Sequence, residues 1–348
     1  MLRGVTAPAR LMLTMLDRHL GNFVVASPVI RELVRQMPEA QVLLRPPTAR
    51  LAERIPGFPQ SAIMEFREHE GRLAALSALQ TLLAVRRSHP TISVDFGGSS
   101  AGALITAMSN ARRRIGPSSN DWQRRLTKAV RKPADQPHRF HSYLALGQAV
   151  QPDLTWRNPE LAATTQDQAK AGKLLASSGI SPESPIACLH VSAGKDYKYW
   201  PFDRYAAVID RLADQGIQSV LIGAGEDRAP TTAVRDACRS SPLDLVGQVD
   251  LGALIGLFGR ARLFIGNDSG PMHIAAATGT AIVALFGPTD PARWGPMTDR
   301  VAIVRGSEPM SDISAKRKFA AATRMDSIPV DAVYDAAQTM LLSESACS

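Results

Sequence analysis

The chain has 348 residues, a formal net charge of +8, 45% hydrophobic and 21% charged residues. That length accommodates two ordinary domains, and the composition excludes a disordered or fibrous chain. Its three cysteines, Cys188, Cys238 and Cys347, are odd in number and form no CxxC pair. A disulfide framework or zinc site is therefore not expected, and buried or incidental thiols in a reducing cytosol are.

Met1–Arg10 holds Arg3, Pro8 and Arg10 without a sustained apolar core, so no signal peptide is expected. No run approaches the roughly 20 apolar residues of a membrane span. Leu11–Leu16 reads as a first strand and Asp17–Asn22 as a polar turn. Phe23–Met37 follows with helical spacing until Pro38, and Gln41–Leu44 resumes as strand. Leu73–Arg87 reads as helix, Thr91–Phe96 as strand, and Gly97-Gly98-Ser99-Ser100 opens a helix over Ala101–Ala111. Positions 116–140 read as irregular, and His141–Val150 as a long helix. Composition shifts over Gln151–Pro159, which places a boundary near 155–170 and gives two domains, 1–160 and 161–348.

In the second domain, Gln166–Ser178 reads as helix, Ile186–Val191 as strand, Phe202–Asp214 as helix and Gln218–Ile222 as strand. Leu251–Arg260 is helix, followed by strand, turn, helix and strand from Leu263 through Pro291. The final helix, about Pro329 to Leu342, follows a loop from Gly306 to Met325 and is a candidate to pack back on the first domain. Alternating strands and helices on both sides of the boundary predict two parallel-sheet α/β domains.

Three turns of the second domain carry the polar chemistry. Ser192–Pro201 places Lys195 and Lys198 beside a helix start, where free N–H groups and the helix dipole already favour an anion. Two plain surface lysines are the bland alternative. Gly223-Ala224-Gly225-Glu226-Asp227 allows close backbone approach, and Glu226 can accept from sugar hydroxyls; an ordinary strand-end turn is the alternative. Asp268-Ser269-Gly270-Pro271-Met272-His273 opens a helix with amides suited to a diphosphate; Asp268 as a simple cap and His273 as a structural histidine are the alternatives. Gly21, after the first strand, adds a glycine-bearing loop in the other half. A doubly wound sheet presents such loops at the carboxyl ends of its strands. The expected geometry is an interdomain cleft, with a nucleotide-sugar donor in the second domain and an acceptor in the first.

Between Arg112 and Lys132 lie eight cationic residues against Asp121, a net of +7. This segment reads either as a solvated helix face or as a docking surface for an anionic partner or acidic membrane surface. Nucleic acid is not an expected partner, because no recognition motif or interleaved aromatics accompany the charge.

Together these motifs resemble glycosyltransferase family 9, the ADP-heptose:lipopolysaccharide heptosyltransferases. The resemblance rests on Leu20–Ile30, on Asp95–Gly116 with its Arg-Ile-Gly ending, and on Lys198-Tyr199-Trp200-Pro201. Its most specific elements are Asn267–His273 and Phe286-Gly287-Pro288-Thr289. It implies a GT-B fold of two Rossmann-like domains and an inverting transfer without metal or other cofactor, from a nucleotide sugar, ADP-heptose first among them. By resemblance, Lys198 and the amides from Ser269 through Gly270 to Met272 hold the donor diphosphate, and Ser192 adds a phosphate contact. Glu226 and Asp268 lie near nucleotide or sugar hydroxyls, and Gly21, Lys195 and His273 complete the donor set. Arg112, Arg113 and Arg114 are the candidates for an anionic glycolipid acceptor at the inner face of the inner membrane, which makes the protein cytoplasmic, with peripheral membrane contact. One departure matters: the family usually carries Asp after the glycine of the first loop as the base, and this chain carries Asn22. An amide cannot accept that proton. Three readings stand open: Asp17 or His19 takes its place, the acceptor needs little activation, or the protein is weak or catalytically silent. A family member acting on another glycoconjugate or a secondary metabolite is a further reading, and a nucleotide-sugar epimerase a more distant one.

Overall fold

The computed structural model describes residues 9–66, 74–97, 99–119, 122–308 and 323–345. Leu73, Gly98, Asp121, Cys347 and most of the 306–325 loop lie outside them. The chain forms two compact units, Met1–Arg157 and Asn158–Ser348.

The first unit runs β1 (Leu11–Met15), α1 (Leu20–Gln36), β2 (Gln41–Leu44), α2 (Pro46–Ala52), β3 (Ile63–Glu65), α3 (Ala74–Arg87), β4 (Ile92–Asp95), α4 (Ser100–Met108), β5 (Arg113–Pro117), β6 (Lys128–Val130) and α5 (Arg139–Gln148). Its six strands are parallel in the order β3-β2-β1-β4-β5-β6. All five residues of β1 are buried, as a central parallel strand covered on both faces requires. Helix α1 starts at Leu20, three residues before the predicted start, so Gly21 and Asn22 lie on its first turn. Pro28 sits inside α1, and the Val24 carbonyl accepts instead from the Ser27 hydroxyl at 2.8 Å.

Two expectations change here. The predicted helix over Ala101–Ala111 ends at Met108, because Asn110 adopts a left-handed φ of 64°. The stretch read as irregular takes in the end of β5 and all of β6 on one side of the sheet, so the described part of the basic segment is strand, loop and the short helical turn Gln123–Arg125, not the face of a long helix.

The second unit runs α6 (Thr165–Ser177), β7 (Ile186–His190), α7 (Phe202–Ala213), β8 (Gln218–Leu221), α8 (Arg228–Ala237), β9 (Leu243–Asp244), α9 (Leu251–Arg260), β10 (Leu263–Asn267), α10 (Gly270–Ala277), β11 (Ala281–Phe286), α11 (Pro291–Trp294), β12 (Val301–Arg305) and α12 (Val330–Ser345). Its parallel order, β12-β11-β10-β7-β8-β9, repeats that of the first unit. In both, the order reverses between the two central strands, β1 and β4 or β7 and β10. Ligands bind outside the carboxyl ends of strands at such a switch point. One core face joins Leu189, Leu263, Ile265 and Val283 to Tyr205 and Ile209 of α7 and to Val333, Ala337 and Leu341 of α12. The final helix thus buries its apolar stripe in the core of its own unit.

Gly266 pairs with His190 in the β10–β7 register. A Cβ there would meet the His190 carbonyl oxygen at 3.0 Å and the Phe264 ring at 2.7 Å. Gly266→Ala is expected to cost about 1–3 kcal/mol by overpacking, read as a thermal midpoint lowered by roughly 2–4 °C per kcal/mol. An unchanged midpoint would show that the strand pair tolerates the methyl group.

Candidate functional site

At the switch point of the second unit, polar side chains converge from three loops. Asn267, wholly buried at the end of β10, accepts from Tyr205 Oη of α7 at 3.0 Å. Its amide donates to the carbonyl of Ser192 at 3.3 Å. The loops after β7 and β10 are thereby tied together.

His190, also buried, lies between a hydroxyl and a carboxylate. Its Nδ1 is 3.1 Å from Ser269 Oγ, and its Nε2 is 3.4 Å from Asp227 Oδ2. The Ser192 hydroxyl is 3.2 Å from the same Nε2 and donates to Asp227 Oδ1. Burial opposes ionisation of Asp227, but His190, Ser192 and the Ala224 N–H outweigh it and hold the carboxyl below its usual range.

Ser269 is the N-cap of α10, yet its hydroxyl makes no capping bond and faces His190. Pro271 occupies the first helical turn, where a missing N–H costs nothing. Beside this helix start, Lys198 Nζ pairs with Asp268 Oδ2 at 3.0 Å, both side chains mostly buried. The dipole, the amides of the first turn and Lys198 together favour an anion.

Of the predicted donor residues, Ser192, Lys198, Asp268, Ser269 and Gly270 fall at this switch point. Lys195 is exposed before the short helical turn Asp196–Lys198, and Glu226 is exposed on the turn Gly225–Asp227. Met272 and His273 are buried on α10. Gly21 lies in the first unit, on the turn with Asn22. His190, Asp227 and Asn267 escaped the sequence reading as site residues. The alternation His190-Val191-Ser192 at a strand end was the available signal, since it turns positions 190 and 192 to one side.

In the first unit, Asp17 follows β1 and is buried. Its Oδ1 accepts from the His19 backbone N–H and faces His19 Nδ1, both at 2.8 Å. Its Oδ2 accepts from the Asn22 amide at 2.6 Å. At the sheet edge, Arg113 donates to the Ala149 carbonyl at 2.6 Å. Arg114 donates to the carbonyls of Arg125 and Ala111 at 2.9 and 2.6 Å, while Arg112 is exposed. Two of the three arginines proposed for an acceptor are thus held by backbone.

A model of glycosyltransferase family 9 (heptosyltransferase) matches residues 82–322, a span that crosses both units and holds Lys198 and Ser269. The chain belongs to glycosyltransferase family 9. This family 9 glycosyltransferase is 24% identical over 294 residues to lipopolysaccharide heptosyltransferase 3 of Escherichia coli, covering 82% of this chain and 85% of that protein. The crystal structure of a family 9 glycosyl transferase from Veillonella parvula superposes with a TM-score of 0.82 at 22% identity, covering 96% and 97% of the two chains. E. coli ADP-heptose lps heptosyltransferase II gives 0.76 at 19% identity, covering 97% and 99%. These likenesses establish the expected α/β architecture of two Rossmann-like units, the GT-B fold. The Asp17–His19–Asn22 cluster precedes the matched span.

Because the folded-state pKa of Asp227 lies below its ordinary 3.8, its contribution to stability is full above that value and is lost as pH falls through the folded pKa. Asp227→Asn is expected to cost about 1.5–3 kcal/mol near pH 7, as for other hydrogen bonds to charged groups. Urea unfolding at pH 7 and pH 3 checks this. The gap between variant and parent narrows at the lower pH, and an equal gap at both would deny the role of the ionised carboxylate.

Proposed function

We propose that this glycosyltransferase moves a heptose-like sugar from ADP-heptose to a lipopolysaccharide core-type acceptor, with inversion and without a metal. The observation that carries the donor half is the uncapped start of α10 flanked by Lys198. Direct displacement at the sugar's anomeric carbon sends an electron pair to the diphosphate. Preorganised amides and an ammonium group beside it stabilise that developing charge. Asp268 supplies a partner that keeps Lys198 in place before the anion arrives. The relatives, a lipopolysaccharide heptosyltransferase and an ADP-heptose lps heptosyltransferase, supply the substrate class for this reading.

Among the described residues, no helix is long and apolar enough to cross a membrane, and no group of three or more His, Cys, Asp or Glu is placed to hold a metal ion. We assign the acceptor as an anionic glycolipid reached from the cytoplasmic side, with the basic edge around Arg112 as its electrostatic attraction.

Thermal shift with a panel of nucleotides and nucleotide sugars tests the donor. ADP-heptose at 100 times its dissociation constant is expected to stabilise by about 2.7 kcal/mol. Binding without ADP release, across candidate core acceptors, would make the protein a silent nucleotide-sugar binder. Lys198→Met is expected to weaken ADP binding by about 1.5–3 kcal/mol, the worth of a charge-assisted contact, which calorimetry reads directly. Transfer is expected to proceed at the same rate in excess EDTA, and NMR of the product to show the inverted anomer. A rate lost to chelation and restored by a divalent cation would refute the metal-free mechanism.

A further inference from the structure

Transfer of a sugar to a hydroxyl needs somewhere for the hydroxyl proton to go. At the carboxyl end of β1 stands a carboxylate–imidazole pair in which the two members differ sharply in access. The His19 side chain is 83% exposed and that of Asp17 only 7%. Asp17 is the less suitable base, since its two oxygens already accept from the His19 backbone, the His19 ring and the Asn22 amide. Asn22 spends its N–H on Asp17 and has no basic lone pair to offer.

The same bonds shape His19. An Nδ1–H donated to a carboxylate fixes the tautomer and leaves the lone pair on Nε2, at the exposed edge of the ring. The carboxylate also stabilises the imidazolium that forms once a proton is taken. Asn22 acts one step back: by holding Oδ2, it turns Oδ1 to the ring.

We propose that His19 is the general base for the acceptor hydroxyl, with Asp17 and Asn22 as positioning residues. The proposal rests on the transferase reading above. In the step, the acceptor O–H bond breaks and its proton passes to Nε2. The freed oxygen bonds the anomeric carbon, and the bond from that carbon to the diphosphate oxygen breaks, its electron pair leaving with ADP. The imidazolium then returns its proton to water. Other charged or titratable groups around the pair are Asp95 at the end of β4, Arg45 after β2, and Arg139 and Tyr143 on α5. Asp95 accepts from the Gly97 N–H at 2.8 Å, and Arg45 donates to the Leu16 carbonyl at 2.9 Å. Arg139 donates to Tyr143 Oη at 3.2 Å. Burial, followed by the charges of Asp17 and Asp95, keeps the Tyr143 phenol protonated, against the pull of Arg139.

The test uses the full chain with ADP-heptose and a truncated core acceptor. His19→Gln changes an exposed side chain, so folding is preserved. Its kcat is expected to fall by about 10²–10⁴-fold, the usual worth of a general base, with the acid limb of the kcat–pH profile abolished and ADP affinity unchanged. Nitrogen-15 NMR of the imidazole is expected to show the Nδ1–H tautomer in the unaltered protein and a mixture in Asp17→Asn. Asn22→Asp replaces the amide that holds Asp17 Oδ2 with a like charge, so Oδ1 loses its fixed position against the ring; its kcat is expected to fall below that of the unaltered protein. A His19→Gln rate within threefold of the parent, or a dominant Nε2–H tautomer, overturns the assignment of the base while leaving the transferase reading intact. Absence of any sugar transfer by the unaltered chain overturns that reading and the role of His19 with it.

Discussion

Two central strands of the second sheet end side by side, and the Asn267 amide holds them so. It is buried, so each of its polar atoms must find a partner or carry a desolvation cost of about 1–3 kcal/mol. It finds them on α7, through Tyr205, and on the loop after β7, through the Ser192 carbonyl. Ser192 and Ser269 both sit within hydrogen-bonding reach of His190 because these loops are pinned. Without a side chain in Gly266, β10 lies close enough to β7 for the clamp to close.

The two units repeat one strand order, and each sets a histidine beside an aspartate: Asp17 and His19 follow β1, while His190 ends β7 and meets Asp227 from the loop after β8. The environments differ. His190 is buried behind Ser269, between a hydroxyl and a carboxylate, where it orders the start of α10. His19 stands in solvent with its carboxylate beneath it. The same pair of residue types is therefore enclosed beside a helix start in one unit and open to solvent in the other. Exposure, more than identity, separates the roles.

Much of this is legible in the amino-acid sequence. The inner strands are near-continuous apolar runs, Leu11–Leu16, Ile186–Val191 and Ala281–Phe286, interrupted by Thr14 and His190, because both of their faces are covered. The edge elements hid themselves. Strands β3, β6 and β9 have three, three and two residues, too few to show a period. In β5 the pattern opens with two arginines, and charge masked a strand whose buried part is Ile115-Gly116. The Asp17–Asn22 contact joins residues five apart across a turn and a helix start. The sequence places both in one polar turn, but their bond depends on the helix starting at Leu20, which puts Asn22 on the first turn. His190 was overlooked because a histidine closing an apolar strand resembles core filler until its partners, 37 and 79 residues downstream, are in place.

Arg113 and Arg114 spend their N–H groups on backbone carbonyls, which are neutral. Such bonds anchor a guanidinium without cancelling its charge. This side of the sheet therefore keeps its electrostatic field while part of each guanidinium is tied to the backbone. Attraction of this kind reaches about 8 Å at physiological ionic strength. It concentrates anions near the surface without choosing among them, and added salt shortens its reach.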